Sequence, residues 1–600
     1  MPSSFLTHPA APRALLHRRL LYAGLTTTTA AALLFLMARA LSGGEFSALD
    51  FVMLLMFAVT VPWTVINFWN AVIGLLLMAA LRDPVSFVTP VVRSADEAGP
   101  LAARVALLAC IRNEDPASVG NALDAMLDEL VAAGVQRHFH LFILSDTSFE
   151  DVAQPEEAMA EALERKYAGR IGVSYRRRRE NTGFKAGNIR DFCERWGKDF
   201  DFAIVVDADS IMSAEAMIRI VRIMEKNPRL GILQTLVTGA PTTSAFARIF
   251  QFGMRLGMRA YTLGGAFWQG DCGPYWGHNA ILRLRPFTEH CHLPLLPGRP
   301  PLGGHILSHD QVEAVLMRRA GFEVRVIPEE RQSFEQNPPT LLEFIRRDLR
   351  WCQGNMQYWR LLNLPNLYPV SRVQLFLAIQ MYLGSPAWIG FLVLGALRGA
   401  VPALPPMRFD PVIGPLLFVI IMVMTFVPKI ATALDVLARP RLRRGFGGGL
   451  RFLFNLFGET IFSSLLAPLM ALAHTIFMGG LLFGRTIGWT AQRRGDHAVK
   501  LGDAVRRLWP QTLFGAVIAW LAWRGGYFAV SLPVTLGLVF AIPLAIATAS
   551  PAIGRLFMRA GLGRIPEETA PPPILLRAGL PALRRAALEE AGDGVLDAAE

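Results

Sequence analysis

Long apolar runs flank a central region in which apolar stretches are short and alternate with polar residues. Two such runs, residues 20–41 and 51–81, precede this region, and several more follow it. A run of about 20 apolar residues is long enough to cross a bilayer as a helix. Within the central region, short strand-like runs at 105–110, 140–144 and 202–206 alternate with stretches of helical periodicity. The pattern predicts an α/β domain inserted between membrane helices.

Counting these runs gives about eight spans, two before the domain and six after it. Residues 51–81 are expected to form one tilted helix. Both flanks of residues 452–483 are basic, so this run is expected to be either two short spans bent near Pro468 or a re-entrant hairpin. The predicted units are residues 1–85 with two membrane helices, 86–371 as the α/β domain, 372–484 with helices three to six, 485–511 as a cytoplasmic loop, 512–553 with helices seven and eight, and 554–600 as a disordered cytoplasmic tail.

The distribution of basic residues orients the chain in the membrane. Arg13, Arg18 and Arg19 precede the first apolar run, whereas the loop after it carries Glu45 and Asp50 and no basic residue. Basic residues near span ends are retained on the cytoplasmic side. We therefore expect a multi-pass protein of the bacterial inner membrane with its α/β domain in the cytoplasm.

Composition agrees with this interpretation. The chain of 600 residues is 52% hydrophobic, which is high for a soluble protein of this length. Its formal net charge is +12, but basic cytoplasmic loops and anionic lipid headgroups account for that charge without a nucleic acid partner. The five cysteines lie in the predicted cytoplasmic domain without paired metal-ligand spacing, so reduced thiols are expected.

The strongest candidate chemistry lies where the strand-like run 202–206 ends in Asp207, Ala208 and Asp209. Ligands of open α/β sheets bind beyond the carboxyl ends of strands, and alternate residues of an extended segment face the same way. Both carboxylates can then face one hard cation, which in turn can hold a diphosphate. Taken alone, the pair is weak evidence, because aspartates also fill turns at strand ends.

Four other positions carry candidate chemistry, and each has a plainer alternative. Asp146 ends a strand and suits a base or ribose contact, but a turn-capping role is as compatible with its position. Lys185 lies among glycines and can meet a phosphate or nucleobase. Asp310 begins a helical segment, where it can also act as a cap. Trp351 offers a flat face to a sugar or anchors the start of a span.

In this order, the motifs resemble processive glycosyltransferases of family 2, the cellulose synthase-like membrane polymerases. A narrower resemblance is to the glucans biosynthesis glucosyltransferase H family. It is carried by residues 176–179, 185–189, 191–193, 195–196, 275–281, 308–310 and 347–355. The resemblance implies a GT-A (Rossmann-like) α/β domain, UDP-glucose as donor, and a β-1,2-linked backbone of osmoregulated periplasmic glucans that is passed across the membrane.

The resemblance also implies roles for individual residues. Catalysis is expected from Asp310 and Asp209, with Mg²⁺ or Mn²⁺ held by Asp207 and Asp209. The other expected roles are donor binding by Asp146, Lys185, Asp207, Arg347 and Arg350, glucan binding by Trp351, His278 and Trp276, and a gating loop containing Trp489, Gln492 and Arg493. Expected partners are the growing glucan, membrane lipid, acyl carrier protein and a periplasmic protein of the glucan pathway. His278 can instead serve only its loop.

Two departures from the wider family and two alternative functions remain open. Arg347 stands where cellulose synthase-like enzymes have glutamine, and Ser308-His309 precedes Asp310 where they have Thr-Glu or Glu. Another family 2 synthase with a different product is the second hypothesis. A transporter with a nucleotide-sensing domain is the third, and Lys429 and Glu459 are the main intramembrane charges that it would use.

Overall fold

The computed structural model describes residues 12–44, 46–96, 99–405, 409–488 and 495–585. One mixed sheet forms the centre of the α/β domain. Its strands are β1 (Val105–Ile111), β2 (Phe139–Ser145), β3 (Gly172–Arg177), β4 (Phe202–Asp207), β5 (Ile211–Met212), β6 (Leu230–Gly239), β7 (Ala280–Arg283) and β8 (Glu323–Glu335).

Helices lie before, among and after these strands. Before the sheet are α1 (Arg13–Leu41), α2 (Ala48–Ala80) and α3 (Pro84–Val88). Among the strands are α4 (Pro116–Ala132), α5 (Glu150–Tyr167), α6 (Phe184–Trp196), α7 (Ala214–Lys226), α8 (Ala245–Gln269), α9 (Leu284–His290) and α10 (Asp310–Arg319). After the sheet are α11 (Leu341–Met356), α12 (Pro369–Ala400), α13 (Ile413–Ala438), α14 (Pro440–Gly445), α15 (Gly449–Leu482), α16 (Leu501–Arg524), α17 (Phe528–Val539), α18 (Ala541–Thr548), α19 (Pro551–Ala560), α20 (Pro566–Thr569) and α21 (Pro573–Arg577).

The strand order is β3-β2-β1-β4-β7-β6-β8-β5. The first four strands in this order are parallel, β7 is antiparallel to both of its neighbours, and β6 and β8 are parallel. The parallel half brings the carboxyl ends of β1, β2 and β4 to one edge, the edge at which ligands bind in open α/β sheets. The α/β fold class predicted from the sequence is confirmed.

Both faces of the sheet are covered by apolar side chains. Alternate residues of β1 divide between the two cores: Leu107 packs with α4 and α7 on one face, and Leu108 packs with α6 and α10 on the other. Strands buried on both faces read as continuous apolar runs, which is why β1, β2 and β4 were recognisable in the sequence. The rigid sheet fixes the positions of the polar residues that follow each strand.

Five helices are long and apolar enough to cross a membrane: α1, α2, α12, α13 and α15. The pair α17 and α18, bent by 54°, brings the number to as many as six among the described residues. α2 is one continuous helix, in agreement with the expectation of a single segment there. α16 begins at Leu501, so the predicted loop 485–511 ends earlier than expected. The protein is a membrane protein.

The expectation of two short spans or a hairpin at residues 452–483 is wrong. α15 is a single helix of 34 residues that accommodates Pro468 internally. Phe452 near its start packs against Phe252 of α8, with ring centroids 5.9 Å apart, and Phe477 near its end joins the core beside α6 and α10. α15 is also one of the five helices long and apolar enough to cross a membrane, so this run is one continuous helix and not two short spans.

The predicted disordered tail, residues 554–600, is also wrong as far as residue 585. Ile574 and Leu575 are fully buried in the apolar core on the face of the sheet that α4 and α7 cover. Glu567 forms an ion pair with Arg255 of α8, and Glu568 forms one with Arg248, at 2.8 Å. Prolines and an acidic composition concealed a short apolar segment that buries enough surface to order the chain. Residues 586–600 lie outside the described part.

Candidate active site

The two aspartates that follow β4 lie at the edge where the parallel strands end. Asp207 is the last residue of the strand, and the turn after it is closed by Ser210, whose hydroxyl accepts a hydrogen bond of 2.9 Å from the Asp207 N–H. Asp209 is buried within this turn. The strand and the turn thus hold two carboxylates close together at the predicted ligand edge.

Lys185 links Asp207 to the opposite wall of the site. It lies in the first turn of α6, after Gly183 and Phe184, which both have left-handed backbone conformations. Its ammonium group donates to Asp207 Oδ1 and, at 2.7 Å, to the carbonyl oxygen of Gly277. Burial works to lower the pKa of Lys185, but Asp207 and the more distant Asp310 outweigh it and raise the pKa above its ordinary value. The charged form of Lys185 is therefore favoured beside Asp207.

Asp310, the predicted catalytic base, is the first residue of α10. The loop containing Gly277 packs against it, since a Cβ atom added to Gly277 would lie 3.3 Å from Asp310 Cβ. Its neighbour His309 is buried and lies 2.8 Å from Glu313, one turn further along α10. The structure thus brings Asp310, Lys185 and Asp207 together from three separate elements.

Asp146, at the end of β2, is held by a bidentate ion pair with Arg178, at 2.7 and 2.8 Å. The Asn181 amide, oriented to satisfy its neighbours, donates to Asp146 at 2.9 Å and accepts from Arg112 at 2.7 Å. These contacts position Asp146 beside the loop that leads to Lys185. The sequence analysis did not single out Asn181 or Arg112, and nothing in their local sequence marks them.

His278 and Trp276 lie on the loop that supplies the carbonyl of Gly277. The backbone N–H of Trp276 donates to Gln234 at 2.8 Å, and the carbonyl of His278 accepts from the same side chain at 3.0 Å. His278 Nε2 lies 3.4 Å from Glu335 at the end of β8. The loop is therefore anchored by buried polar groups, which fits a positioning role as well as a glucan contact.

Glu335 is a site residue that the sequence analysis missed. Burial raises its pKa, His278 and Arg347 oppose that shift, and the carboxylates of Asp209 and Asp207 add to it. The residue ends a long strand without a recognisable motif, so only the pairing of β8 with β6 places it at the site. A third carboxyl group thus lies near enough to Asp207 and Asp209 for their charges to act on it.

α11 carries the predicted donor and glucan contacts Arg347, Arg350 and Trp351. Arg347 is buried, and its guanidinium group lies over the Trp351 ring, 4.9 Å from the centroid. Trp351 itself is 43% exposed, so part of its side chain is accessible to a ligand. Arg350 is partly buried one turn away from Arg346. An aromatic ring held by a stacked guanidinium is a suitable platform for a sugar.

The predicted gating-loop residues Trp489, Gln492 and Arg493 lie outside the described residues. The flanks of that loop are described. Ile487 donates its N–H to Gln353 of α11 at 2.9 Å, and Asp496 accepts a hydrogen bond from Thr243, just before α8. The two ends of the loop thus contact helices that border the candidate site.

The oxygen donors at the site suit a hard divalent cation. Asp207, Asp209 and Glu335 offer carboxylate oxygens only, the ligands that Mg²⁺ and Mn²⁺ prefer. Within the described residues, no group of three or more histidine, cysteine, aspartate or glutamate side chains has metal-binding geometry. Two carboxylates and the oxygens of a diphosphate would still complete such a site, because Mg²⁺ commonly shares its coordination with substrate phosphates.

Charged residues in the apolar helices pair with one another. Lys429 of α13 contacts Glu459 of α15 at 2.7 and 3.0 Å, and Arg398 of α12 contacts Asp50 of α2 at 2.6 Å. Pairs of this kind join helices and leave little free charge for a transport pathway. They therefore give the transporter hypothesis no support.

Two family models match the α/β domain and the first helices after it. The family model "Glycosyl transferase family 2" matches residues 108–291, and "Glycosyl transferase family group 2" matches residues 202–432. A mannosyltransferase from Pyrobaculum calidifontis, solved with GDP-Man and Mn²⁺, covers 61% of this chain and 98% of its own at 15% identity, but its TM-score of 0.36 is too low to support any argument.

Full-length relatives are considerably more similar. Glucans biosynthesis glucosyltransferase H of Vibrio cholerae is 36% identical over 578 residues, which is 94% of this chain and 79% of the relative. The enzyme of the same name from Bradyrhizobium diazoefficiens is 37% identical over 89% of this chain and 72% of its own, and that of Xanthomonas campestris is 34% identical over 96% and 90%. The chain belongs to the glucans biosynthesis glucosyltransferase H family of membrane glycosyltransferases.

Proposed function

We propose that this chain is a processive, inverting glucosyltransferase of the bacterial inner membrane. It uses UDP-glucose to extend a β-1,2-linked glucan in the cytoplasm and passes that glucan across the membrane. The observation that carries the proposal is the meeting of Lys185, Asp207 and Asp310 at the carboxyl edge of the sheet. The positive charge of Lys185 lies there beside Asp207, where it would help to balance the diphosphate of a donor.

The donor would bind along the strand ends. Asp146, held by Arg178, lies at a strand end, where its carboxylate can accept a hydrogen bond from the uracil or ribose of the bound nucleotide sugar. Lys185 would balance the diphosphate together with Arg347 or Arg350 of α11. A divalent cation held by Asp207 and Asp209 would neutralise charge on the leaving diphosphate.

The reaction would be a single displacement. A hydroxyl group of the glucan end attacks the anomeric carbon of the donor glucose, and Asp310 accepts the hydroxyl proton. The new glycosidic bond forms as the bond to UDP breaks, and the electron pair leaves with the diphosphate. A positioned base of this kind contributes about 10²–10⁴-fold to the rate. The configuration at the anomeric carbon is inverted from α to β.

The acceptor would rest on Trp351, which lies on α11 between the α/β domain and the membrane helices. Trp276 and His278 lie on the loop beside Asp310 and would contact the same glucan end. Membrane lipid surrounds the apolar helices, and acyl carrier protein and a periplasmic protein of the glucan pathway are proposed as partners from family membership alone.

The test is transfer from labelled UDP-glucose by membranes containing the native chain or Asp310→Asn, with magnesium and with linkage analysis of the polymer. The matched control is Asp151→Asn, an exposed carboxylate on α5. We expect a β-1,2 glucan from the native and control chains and loss of at least about 100-fold from Asp310→Asn. Polymer of another linkage would favour a sibling synthase, and absence of transfer from every nucleotide sugar would contradict the proposal.

A further inference from the structure

One side chain from each of the helices α11, α12 and α15 meets in a cluster that begins one turn of α11 before Trp351, the candidate glucan platform. Asp348 of α11 contacts His474 Nε2 of α15 through its Oδ2 atom, and His474 Nδ1 lies 3.0 Å from Ser385 Oγ of α12. The side chains of Asp348 and His474 are 16% and 12% exposed. His474 therefore connects α11 with α12 by using both of its ring nitrogens.

Tyr382 closes this array from the side. Its ring meets the His474 ring edge to face, with centroids 5.0 Å apart and an interplanar angle of 86°. Its hydroxyl group lies 3.4 Å from Asp348 Oδ1, a long contact that contributes little. The imidazole is thus fixed in position by the carboxylate, the serine hydroxyl and the tyrosine ring, and its orientation is determined by the helices around it.

The array lies on the part of α11 that carries the platform. Asp348 precedes Trp351 by three residues and follows Arg347 directly. Residues three apart on a helix lie on neighbouring parts of one face, so the rotation of α11 that directs Asp348 toward His474 also sets the direction of Trp351. Arg347, stacked on the Trp351 ring, is placed by the same rotation.

The residue types are those of a hydrolytic triad, but the geometry does not support hydrolysis. Ser385 lies inside α12, where the backbone N–H groups are used by the helix, and the next residue, Pro386, has none. An acyl-transfer site needs N–H donors directed at the developing oxyanion. The array therefore fits a role in holding the three helices together, and it does not fit nucleophilic attack.

We propose that His474 is a positioning residue for the glucan end: through Asp348 it holds α11 so that the Trp351 ring faces the acceptor. This inference rests on the proposed function, which makes Trp351 the acceptor platform. Asp146, Lys185 and Asp207 hold the donor from the sheet edge and α6, and α11 adds only an arginine to the donor side, so loosening α11 acts more on the acceptor than on the donor. The glucan then leaves earlier, and each attack is less well aligned.

The test uses the purified full-length chain and measures kcat, the KM for UDP-glucose, product length and thermal stability. His474→Ala is expected to lower kcat about tenfold and to shorten the product, while KM for UDP-glucose rises by a smaller factor, because α11 gives the donor only an arginine. His474→Gln, whose amide nitrogen can still donate to Asp348, is expected to restore most of the length. His290→Ala, an exposed histidine at the end of α9, is the control.

Asp348→Leu breaks the same contact from the α11 side and is expected to show the same split between kcat and KM. Native product length from both His474→Ala and Asp348→Leu would overturn the proposal. The proposal would also be overturned if folded His474→Ala lost kcat, donor affinity and product length equally and His474→Gln recovered none of them. That result would indicate a purely structural contact. If the native chain makes no polymer, the proposed function fails instead.

Discussion

Lys185 donates a hydrogen bond of 2.7 Å to the carbonyl oxygen of Gly277, and the α-carbon of Gly277 in turn faces Asp310. The lysine of the donor side thereby fixes the loop against which the candidate base packs. Gly277 has a φ of +80°, a conformation that residues with a Cβ atom adopt at a cost. The separation of Lys185 from the candidate base Asp310 thus depends on Gly277.

Gly277→Ala is expected to lower kcat by tenfold or more, roughly 1.4 kcal/mol in the barrier. The new methyl group would lie 3.3 Å from Asp310 Cβ and displace the base. Gly321→Ala is the matched control, because Gly321 has a φ of +93° and open space around its α-carbon. Both variants should lose about 1 kcal/mol of stability from backbone strain. Equal kcat values for the two variants would contradict this account of Gly277.

Lys185→Met is expected to lower kcat/KM for UDP-glucose by about 10–100-fold. The substitution removes the charge that pairs with Asp207 and leaves the carboxylates of the site to repel a diphosphate. Lys198→Met, at an exposed lysine beyond α6, should behave like the native chain. Steady-state kinetics at fixed magnesium measures the effect, and unchanged donor kinetics would remove Lys185 from the donor site.

Glu335 predicts a pH dependence of stability. Its folded pKa lies above the ordinary value of 4.5, so the native state binds more protons than the unfolded state between those two values. Its contribution to stability therefore falls as pH rises through that window and is constant above it. Glu335→Gln does not titrate, so the stability of the native chain relative to this variant should decrease from about pH 4.5 upward.

Melting curves at a series of pH values measure that difference. Glu289→Gln, at an exposed carboxylate on α9, should show no comparable trend. If the native chain gained stability relative to Glu335→Gln as the pH rose, the direction of the shift assigned to Glu335 would be wrong.

Chelation of divalent cations is expected to stop glucosyl transfer, and addition of Mg²⁺ or Mn²⁺ to restore it. Asp209→Asn should raise the metal concentration for half-maximal rate by about tenfold, because it removes one hard anionic ligand. Asp199→Asn, at an exposed carboxylate before β4, should leave that concentration unchanged. Full activity in chelator would show that Lys185 and the α11 arginines suffice for the departing diphosphate.

Arg255→Met is expected to destabilise the protein by about 3–5 kcal/mol. The Arg255 side chain is buried and pairs with Glu567 of the C-terminal segment and, at 2.8 Å, with Glu330 of β8, so its loss leaves two carboxylates without their cation. Arg285→Met, at an exposed arginine, should have little effect. Denaturation in detergent measures both variants, and equal stability would show that the C-terminal segment does not secure α8.

The sequence identified the strand ends and their aspartates because the information is local. A strand buried on both faces must be apolar throughout; Asp207 ends such a strand, and Asp146 and Asp209 follow one within two residues. Lys185 and Asp310 were candidates from their positions, and the family resemblance gave them roles; the structure pairs Lys185 with Asp207 and packs Asp310 against the Gly277 loop that Lys185 contacts. Glu335, Gln234 and Asn181 carried no local signal, since their places depend on the pairing and packing of distant segments.

Hydropathy by itself determined that the chain has apolar helices on both sides of an α/β domain, because transfer of a segment from water depends on that segment alone. Hydropathy could not determine where those helices bend or what they pack against. Whether residues 452–483 turn back or continue as α15, and whether the C-terminal segment packs on α4, depend on surfaces contributed by other parts of the chain. The contact of His474 with Asp348 spans 126 residues of sequence, and only the packing of α15 against α11 and α12 creates it.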